Sequence, residues 1–188
     1  VLGWKLWFVL RKPIYLWYEA RGGRWPLRIA SLCARKVFSA SKRGMPVWTR
    51  KSVIVGHGID TDQFVPGNMP RDATLLVTVG RITAAKRLPI ILNALAALEE
   101  PYHLVIIGVP VTADDRRTHT GLDDLIHRLH LEDRVAMRTI SNAVLPSLLQ
   151  RATIFLHASE TALDKAVLEA MACGCAVVSC ADAVRSIL

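Results

Sequence analysis

Short apolar segments alternate with helical patterns over most of the chain, and this alternation constrains the fold more than any other feature. From Ser52 onward, the segments rich in Val, Ile and Leu are Ser52–Val55, Leu75–Val79, His103–Ile107, Arg134–Thr139, Thr153–His157 and Ala176–Ser179. Most show little polar–apolar alternation, which is typical of strands covered on both faces. The helical patterns between them are Leu88–Leu98, Gly121–Leu131, Ala143–Arg151 and Lys165–Cys173. This order predicts an α/β fold with a parallel sheet and crossover helices.

The first fifty residues show the same alternation in weaker form, with predicted strands at Ile14–Tyr18 and Val37–Ala40 and a predicted helix at Arg24–Arg35. Gly44 and Pro46 mark residues 41–51 as a link. We therefore predict two units, residues 1–50 and residues 51–188. The sequence starts at Val1 without an initiator Met and stops at Leu188 within a helical pattern. We expect it to be part of a longer chain.

Positive charge is concentrated before Ser52. The net charge is +8, and Glu19 is the only acidic residue in that stretch. Its basic residues are Lys5, Arg11, Lys12, Arg21, Arg24, Arg28, Arg35, Lys36, Lys42, Arg43, Arg50 and Lys51, and they are interleaved with Trp and Tyr. Two interpretations stay open: contact with an anionic membrane, or a solvated basic face over a Trp-containing core. Nucleic acid is not expected as a partner, since no recognised binding motif accompanies the charge.

The cysteines predict neither a disulfide framework nor a metal site. They are Cys33, Cys173, Cys175 and Cys180, and reduced core cysteines are favoured in a chain this long. This indicates a cytoplasmic location. His127 and His130 lie one turn apart but lack partners at metal spacing. We expect no bound metal and no cofactor. We also expect no membrane span, because Lys5, Arg11 and Lys12 interrupt the first apolar run.

The residues after each strand are the candidates for ligand binding, because ligands of parallel sheets bind beyond the carboxyl ends of the strands. Gly80 ends a predicted strand, and Arg81 and Lys86 precede a helix. Arg and Lys at a helix start suit a pyrophosphate, since the helix dipole and free N–H groups also attract anions. Other residues in comparable positions are Gly56, His57, Gly58, Gly108, His157 and Ser159. Each of these alone is also compatible with ordinary turn or core structure.

The segment from Asp164 to Ala172 predicts a helix with Asp164 as its N-cap and Lys165 as its first residue. Glu169 follows about a turn and a half into that helix. A carboxylate there can accept hydrogen bonds from two vicinal hydroxyls, as a ribose offers. The alternative is a surface Glu on an amphipathic helix.

These segments, in this order, resemble glycosyltransferase family 4, the group 1 glycosyltransferases of GT-B fold. The resemblance covers about the last two-thirds of the chain and includes Gly58-Ile59-Asp60, Gly80-Arg81 with Lys86, Val105–Gly108, and Leu168–Ala172 with Gly174. It implies two Rossmann-like halves, of which the nucleotide-sugar-binding half and a remnant of the acceptor-side half are present. It further implies that Arg81 and Lys86 hold the diphosphate, that Glu169 holds the ribose, and that transfer retains configuration without a metal.

The sequence departs from the family pattern in one loop. The family usually has a Glu where this chain has Thr161, while Glu160 is out of register by one residue. Two glycines that commonly follow are replaced by Ala162 and Asp164, as in a bacterial subgroup with Asp-Lys at this place. The usual contact of this loop with sugar and phosphate is therefore in doubt.

The expected function is retaining transfer from a nucleotide-diphosphate sugar to an acceptor, with a lipid-linked or cell-envelope glycan favoured by the basic aromatic segment. The expected location is the cytoplasm, at the inner membrane face. Two alternatives stay open: a GT-B-like sugar-nucleotide epimerase, which should carry a different motif set, and a degenerate nucleotide-binding or scaffold module. The 188-residue chain alone is expected to be inactive.

Overall fold

The computed structural model describes residues 9–19, 23–42, 44–68, 70–159 and 163–185. The chain divides into two compact units. The first runs to Gly58 and the second begins at Ile59, with Leu163 grouped with the first. This division lies later in the chain than the predicted boundary after residue 50.

The first unit is a parallel three-stranded sheet of order β1-β2-β3. It consists of β1 (Tyr15–Trp17), α1 (Arg24–Cys33), β2 (Lys36–Ser39) and β3 (Ser52–Ile54). Helix α1 buries Leu27, which packs with Val37 and Met45. The predicted strands and helix of this region form: β1 and α1 are shorter than predicted, and β2 is shifted by one residue toward the N-terminus.

Strand β3 corrects one assignment. The strand predicted at residues 52–55 forms, but it pairs with β2 in the first unit instead of joining the sheet of the second. The register aligns Val37 with Ser52 and Ser39 with Ile54. The sheet to which a strand belongs depends on which strand it pairs with, and sequence periodicity does not show this.

The second unit contains a five-stranded sheet of order β6-β5-β4-β7-β8, in which every pair is parallel. Its strands are β4 (Asp72–Val79), β5 (His103–Ile107), β6 (Val135–Arg138), β7 (Ala152–His157) and β8 (Ala176–Ser179). Its helices are α2 (Leu88–Ala96), α3 (Ala113–Arg128), α4 (Leu145–Arg151), α5 (Lys165–Ala172) and α6 (Asp182–Arg185), with a 3-10 turn at Ala84–Lys86. The predicted α/β architecture with a parallel sheet is confirmed.

The core of the second unit explains why the strand prediction worked. Residues 75–78 of β4 are all buried, so this central strand is covered on both faces. Helix α2 buries Leu88, Ile91, Leu92 and Leu95, spaced as one face of a helix.

Helix α3 begins eight residues before its predicted start at Gly121. Thr112 caps it, and Asp115 completes a capping box by accepting from the backbone N–H of Thr112. Its first two turns bury only Asp115, and the apolar face begins at Leu122. The apolar periodicity therefore revealed only the second half of the helix. Helix α6 lies where the sequence ends in a helical pattern, for which no bounds were predicted.

None of the helices described is long and apolar enough to cross a membrane. Cys173 and Cys175 are buried and free, as predicted, whereas Cys180 is exposed. Burial raises the pKa of the Cys173 thiol to about 11. Burial also raises the pKa of the Cys175 thiol, so both buried thiols stay protonated at neutral pH.

Candidate functional site

The carboxyl ends of β4 and β7 form the point where the strand order of the second sheet reverses. From β4 the chain proceeds through β5 and β6 on one side of the sheet, and then returns to place β7 and β8 on the other. The connections that leave β4 and β7 therefore diverge, which opens a crevice between them.

Two glycines allow the backbone to approach closely at this edge. Gly80 has a φ of +152°, and a Cβ there would lie 3.2 Å from Cε of Lys86. A Cβ on Gly108 would lie 2.0 Å from the carbonyl oxygen of Gly80. Gly108 is thus required by packing between the ends of β4 and β5, and Gly80 lets the Lys86 side chain lie across the end of β4.

A hydrogen-bonded network joins the two sides of the crevice. Oδ2 of Asp164 accepts from Nζ of Lys86 at 2.5 Å and from Nε2 of His157 at 2.7 Å. Nδ1 of His157 lies 2.8 Å from Oγ of Ser179 at the end of β8. The Ser179 hydroxyl already accepts from the Ala181 N–H, so its own proton can be donated to Nδ1. The tautomer with its proton on Nε2 then satisfies both bonds of His157.

Asp164 stays ionised in this network. Partial burial alone would raise the pKa of the Asp164 carboxyl, but the hydrogen bonds from His157 and Lys86 outweigh it and hold the pKa below its usual value. The side chains of Lys86 and Asp164 are each 23% exposed, and that of His157 is 5% exposed. The network is therefore mostly shielded from water but open on one side.

Asp164 occupies the predicted N-cap position of α5 with extended backbone, yet its side chain makes no capping hydrogen bond. The expectation that Asp164 caps the helix is met in position only. Its carboxylate is turned toward Lys86 and His157. The start of α5 therefore lacks the side-chain acceptor that an N-cap Asp usually supplies.

Arg81 is less constrained than Lys86. Its side chain is 59% exposed, and its Nε lies 3.8 Å from Oδ2 of the buried Asp115. Hydrogen bonds from the Thr112 and Val111 backbone help to keep the pKa of Asp115 low. Arg81 and Gly80 line an open cavity together with Gly108, Thr139 and Asn142. Asp115 and Asn142 were not predicted as site residues. The spacing of Thr112 and Asp115, which is that of a helix capping box, could have indicated Asp115.

Glu169 lies on α5 with its side chain only 12% exposed, 3.8 Å from Nζ of Lys165. Burial raises the pKa of Glu169 despite the nearby ammonium group. A mostly buried carboxylate carries a desolvation cost, which a partner with hydroxyl donors would relieve.

The amino-acid sequence matches a protein family over most of the second unit. The family model for glycosyl transferases group 1 matches residues 73–188, which is more than half of the chain. The chain belongs to the group 1 glycosyltransferases. The expected family is therefore confirmed. No curated protein sequence matches the chain significantly.

Solved glycosyltransferase structures share its fold. The Anabaena protein Alr3699/HepE in complex with UDP-glucose superposes with a TM-score of 0.82 at 18% identity, covering 100% of this chain and 58% of that one. Sucrose-phosphate synthase from Thermosynechococcus elongatus superposes with a TM-score of 0.77 at 19% identity, and the match covers 94% of this chain and 53% of that one. The pneumococcal O-GlcNAc transferase GtfA in complex with UDP and GlcNAc superposes with a TM-score of 0.75 at 13% identity, and the match covers 95% of this chain and 39% of that one. The predicted GT-B fold is confirmed, and this group 1 glycosyltransferase chain spans little more than half the length of the Anabaena protein.

In this glycosyltransferase chain the crevice brings together part of the predicted site. Gly80, Lys86, His157 and Ser159 line one small cavity, and Asp164 contacts two of them. The sequence predicted these residues individually, but gave no sign that Asp164 pairs with Lys86. Ser179 was not predicted at all, because a Ser at the end of a short strand carries no distinguishing pattern.

The other predicted site residues lie elsewhere in this glycosyltransferase or outside the described residues. Gly56, His57 and Gly58 belong to the first unit, where the His57 ring lies 5.9 Å from the Trp17 ring. Their role in donor binding stays a prediction. Glu160, Thr161 and Ala162, on which the departure from the family pattern rests, lie outside the described residues.

Among the residues that the structure describes, no three His, Cys, Asp or Glu side chains are grouped as a metal site. His127 contacts Glu132 at 2.8 Å, and His119 contacts Asp123 at 3.1 Å, each as a surface pair. The expectation that transfer needs no metal stays a prediction.

Proposed function

We propose that the second unit binds the nucleotide-diphosphate sugar donor of a retaining glycosyltransferase, with the diphosphate held by Lys86. The observation that carries this proposal is the position of the Lys86 ammonium. It is mostly buried, lies over Gly80 at the strand-order reversal, and precedes the first turn of α2.

A diphosphate suits this position for electrostatic reasons. A partly desolvated ammonium attracts phosphate oxygens more strongly than a fully hydrated one. The starts of α2 and α5 add positive dipole ends at the carboxyl edge of the sheet. Arg81, which is exposed at the mouth of the neighbouring cavity, supplies a second, more mobile cation.

The ribose is assigned to Glu169. Its carboxylate is mostly buried and has a raised pKa, and among the described residues it is paired with Lys165 at 3.8 Å. Vicinal hydroxyls would donate hydrogen bonds to the ionised form and stabilise it. UDP-sugars are the first donors to test, because the Anabaena and pneumococcal proteins were solved with UDP-glucose and with UDP and GlcNAc.

The acceptor is proposed to be a lipid-linked or cell-envelope glycan, reached at the anionic inner face of the membrane. Helix α1 supports this with exposed Trp25, Ile29 and Leu32, and the Arg28 guanidinium lies 5.3 Å from the Trp25 ring centre. The one acidic residue nearby in sequence, Glu19, is engaged by Ser39, Ser41 and the Ala40 N–H. Basic residues beside exposed Trp and Leu suit an anionic headgroup layer.

Binding and transfer are proposed to separate in this chain. Retaining transfer requires the acceptor hydroxyl to be held against the donor while water is excluded, which two closing halves provide. The 188-residue chain is therefore expected to bind a nucleoside diphosphate without a cofactor but to transfer no sugar. Sugar transfer by the isolated chain would contradict this assignment.

A thermal-shift panel of UDP, GDP and ADP with their matching nucleosides tests the donor site. A ligand that binds only the folded chain raises the midpoint. We expect one of the diphosphates to raise the midpoint of thermal unfolding, and its nucleoside to raise that midpoint much less. Lys86→Ala should abolish the difference, and Arg128→Ala, which removes an exposed cation from α3, should retain it. Equal shifts by nucleoside and diphosphate would refute the site. Product stereochemistry with the whole enzyme tests retention and distinguishes transfer from epimerisation.

A further inference from the structure

We propose that Asp164 is a specificity residue that discriminates by charge between the nucleotide-sugar donor and the nucleoside-diphosphate product. This inference rests on the function proposed above, because it requires the diphosphate to lie beside Lys86. It adds a role for a carboxylate that would otherwise oppose binding of any phosphate.

The geometry places a negative charge in a site built for anions. Lys86 is the mostly buried cation of the crevice, and its ammonium is already paired with Asp164 at 2.5 Å. His157 donates to the same carboxylate oxygen at 2.7 Å, which fixes the carboxylate from the other side. With an uncharged His157, the Lys86–Asp164 pair has no net charge. A phosphate that contacts Lys86 must therefore also experience the field of Asp164.

Asp164 retains its charge at neutral pH, because hydrogen bonds from His157 and Lys86 hold the pKa of its carboxyl down against the effect of burial. Its backbone is fixed at the first residue before α5. The His157 ring that orients it is anchored in turn by Ser179. Asp164 cannot easily turn away, since His157 is the last residue of β7 and the Lys86 side chain lies against Gly80 at the end of β4.

Donor and product differ in charge at the phosphate next to this site. During transfer the bond from the anomeric carbon to the β-phosphate oxygen breaks and a bond from the acceptor oxygen to that carbon forms. At pH 8 the proton of the acceptor hydroxyl passes to solvent, and the β-phosphate leaves with the electron pair of the broken bond. The released β-phosphate is a monoester-like group with a second ionisation near pH 6, as other phosphate monoesters have. At pH 8 the product therefore has about one more negative charge than the donor. Repulsion from Asp164 penalises the product more, which favours its release.

Equilibrium binding at pH 8 tests the proposal by calorimetry. The probes are UDP with UDP-glucose, GDP with GDP-glucose, and ADP with ADP-glucose, and the pair that binds the unaltered chain is used. In Asp164→Asn, we expect the affinity for the diphosphate to rise relative to that for its glucose conjugate by about tenfold, the order expected for one partly screened charge at close range. The ratio of the two affinities is measured because a general increase in the mobility of the Lys86 side chain would weaken the binding of both ligands to the same extent.

Two controls separate charge from structure. Asp164→Glu keeps the charge and should leave the ratio near that of the unaltered chain. Asp124→Asn removes the same charge from an exposed position on α3 and should also leave the ratio unchanged. If Asp164→Asn does not fold, Asp164→Ser provides an uncharged residue that can cap α5, and the same rise in the ratio is expected.

The proposal would be overturned if the ratio were unchanged in Asp164→Asn and Asp164→Ser, or if the affinity for the glucose conjugate rose relative to that for the diphosphate. Either result would leave the proposed donor site intact. Absence of binding by every pair to the unaltered chain would instead refute the proposed function, and this inference with it.

Discussion

Lys86 and Asp164 lie 78 residues apart in the sequence and form a 2.5 Å ion pair between the ends of β4 and β7. Each follows a strand of the same parallel sheet, and the reversal of strand order brings those two strands side by side. The pair therefore exists because of the topology. Its position at the strand-order reversal is where open α/β sheets bind their ligands.

Removing Lys86 should weaken diphosphate binding more than removing Arg81. A hydrogen bond to a charged group contributes about 1.5–3 kcal/mol, and Lys86→Ala is expected to reach the upper part of that range. Arg81→Ala is expected to fall near or below the lower end, because its side chain is 59% exposed and solvent screens it. Calorimetry with a diphosphate and its nucleoside measures both. Equal losses for the two ligands would show that neither residue acts on phosphate.

Glu169→Gln should weaken binding of a ribonucleoside diphosphate more than of its 2′-deoxy analogue. The proposed carboxylate accepts from both ribose hydroxyls, and the deoxy ligand has already lost one donor. Isothermal calorimetry of both ligands against both chains gives the comparison. An equal loss for the two sugars would assign Glu169 to the fold instead of the ribose.

The same substitution should stabilise the ligand-free chain at neutral pH. Burial raises the pKa of Glu169 above 4.5, so the folded chain binds the proton more tightly than the unfolded chain does. The ionised form therefore destabilises the fold as the pH rises above 4.5. Glu169→Gln is expected to raise the midpoint of thermal unfolding by about 2 °C at pH 7. At this chain length, a change of 1 kcal/mol in the free energy of unfolding corresponds to about 2–4 °C.

The gain should vanish as the pH falls below 4.5, where both chains lack the charge. Melting curves followed by circular dichroism from pH 4 to pH 8 would show this trend. A gain that is constant with pH would mean that Gln stabilises the helix by other means.

Gly108→Ala should destabilise the second unit strongly. Its new Cβ would meet the carbonyl oxygen of Gly80 at 2.0 Å, and a backbone atom cannot move aside cheaply. A loss of about 3 kcal/mol is expected for such overpacking. Urea unfolding gives the free energy of unfolding directly.

Gly121→Ala is the matched control. Gly121 lies within α3 with open space around its Cβ position. Ala should therefore gain up to about 1 kcal/mol from its helix propensity. Similar losses at both glycines would show that general backbone effects, and not the contact between strand ends, determine the result.

Several features of this chain could be predicted from sequence because they depend on local pattern. Consecutive apolar residues marked β4 and β5 as strands covered on both faces, and spacing at three and four residues marked α2. Four segments in order indicated the family that the match over residues 73–188 confirms. They are Gly58-Ile59-Asp60, Gly80-Arg81 with Lys86, Val105–Gly108, and Leu168–Ala172 with Gly174.

Local pattern failed where structure depended on other signals. The first turns of α3 are polar on nearly every face, so apolar periodicity began only at Leu122. Strand β3 was recognised, but its partner was not, because periodicity contains no information on pairing. That Gly108 lies near the donor stays a prediction, and its packing against the carbonyl oxygen of Gly80 could not be read from sequence.

The sequence by itself determined the strands, the helices and the residue types that a phosphate site requires. Only the tertiary structure decided which of those residues meet. Lys86 follows β4, while His157 and Ser179 are the last residues of β7 and β8. Asp164 joins Lys86 and His157 through one carboxylate oxygen, and Ser179 contacts the other side of the His157 ring. Such contacts depend on strand order, because the order sets which strand ends are neighbours. The charge available to a ligand at Lys86 is thus a property of the folded sheet, since the carboxylate that offsets it comes from a distant part of the chain.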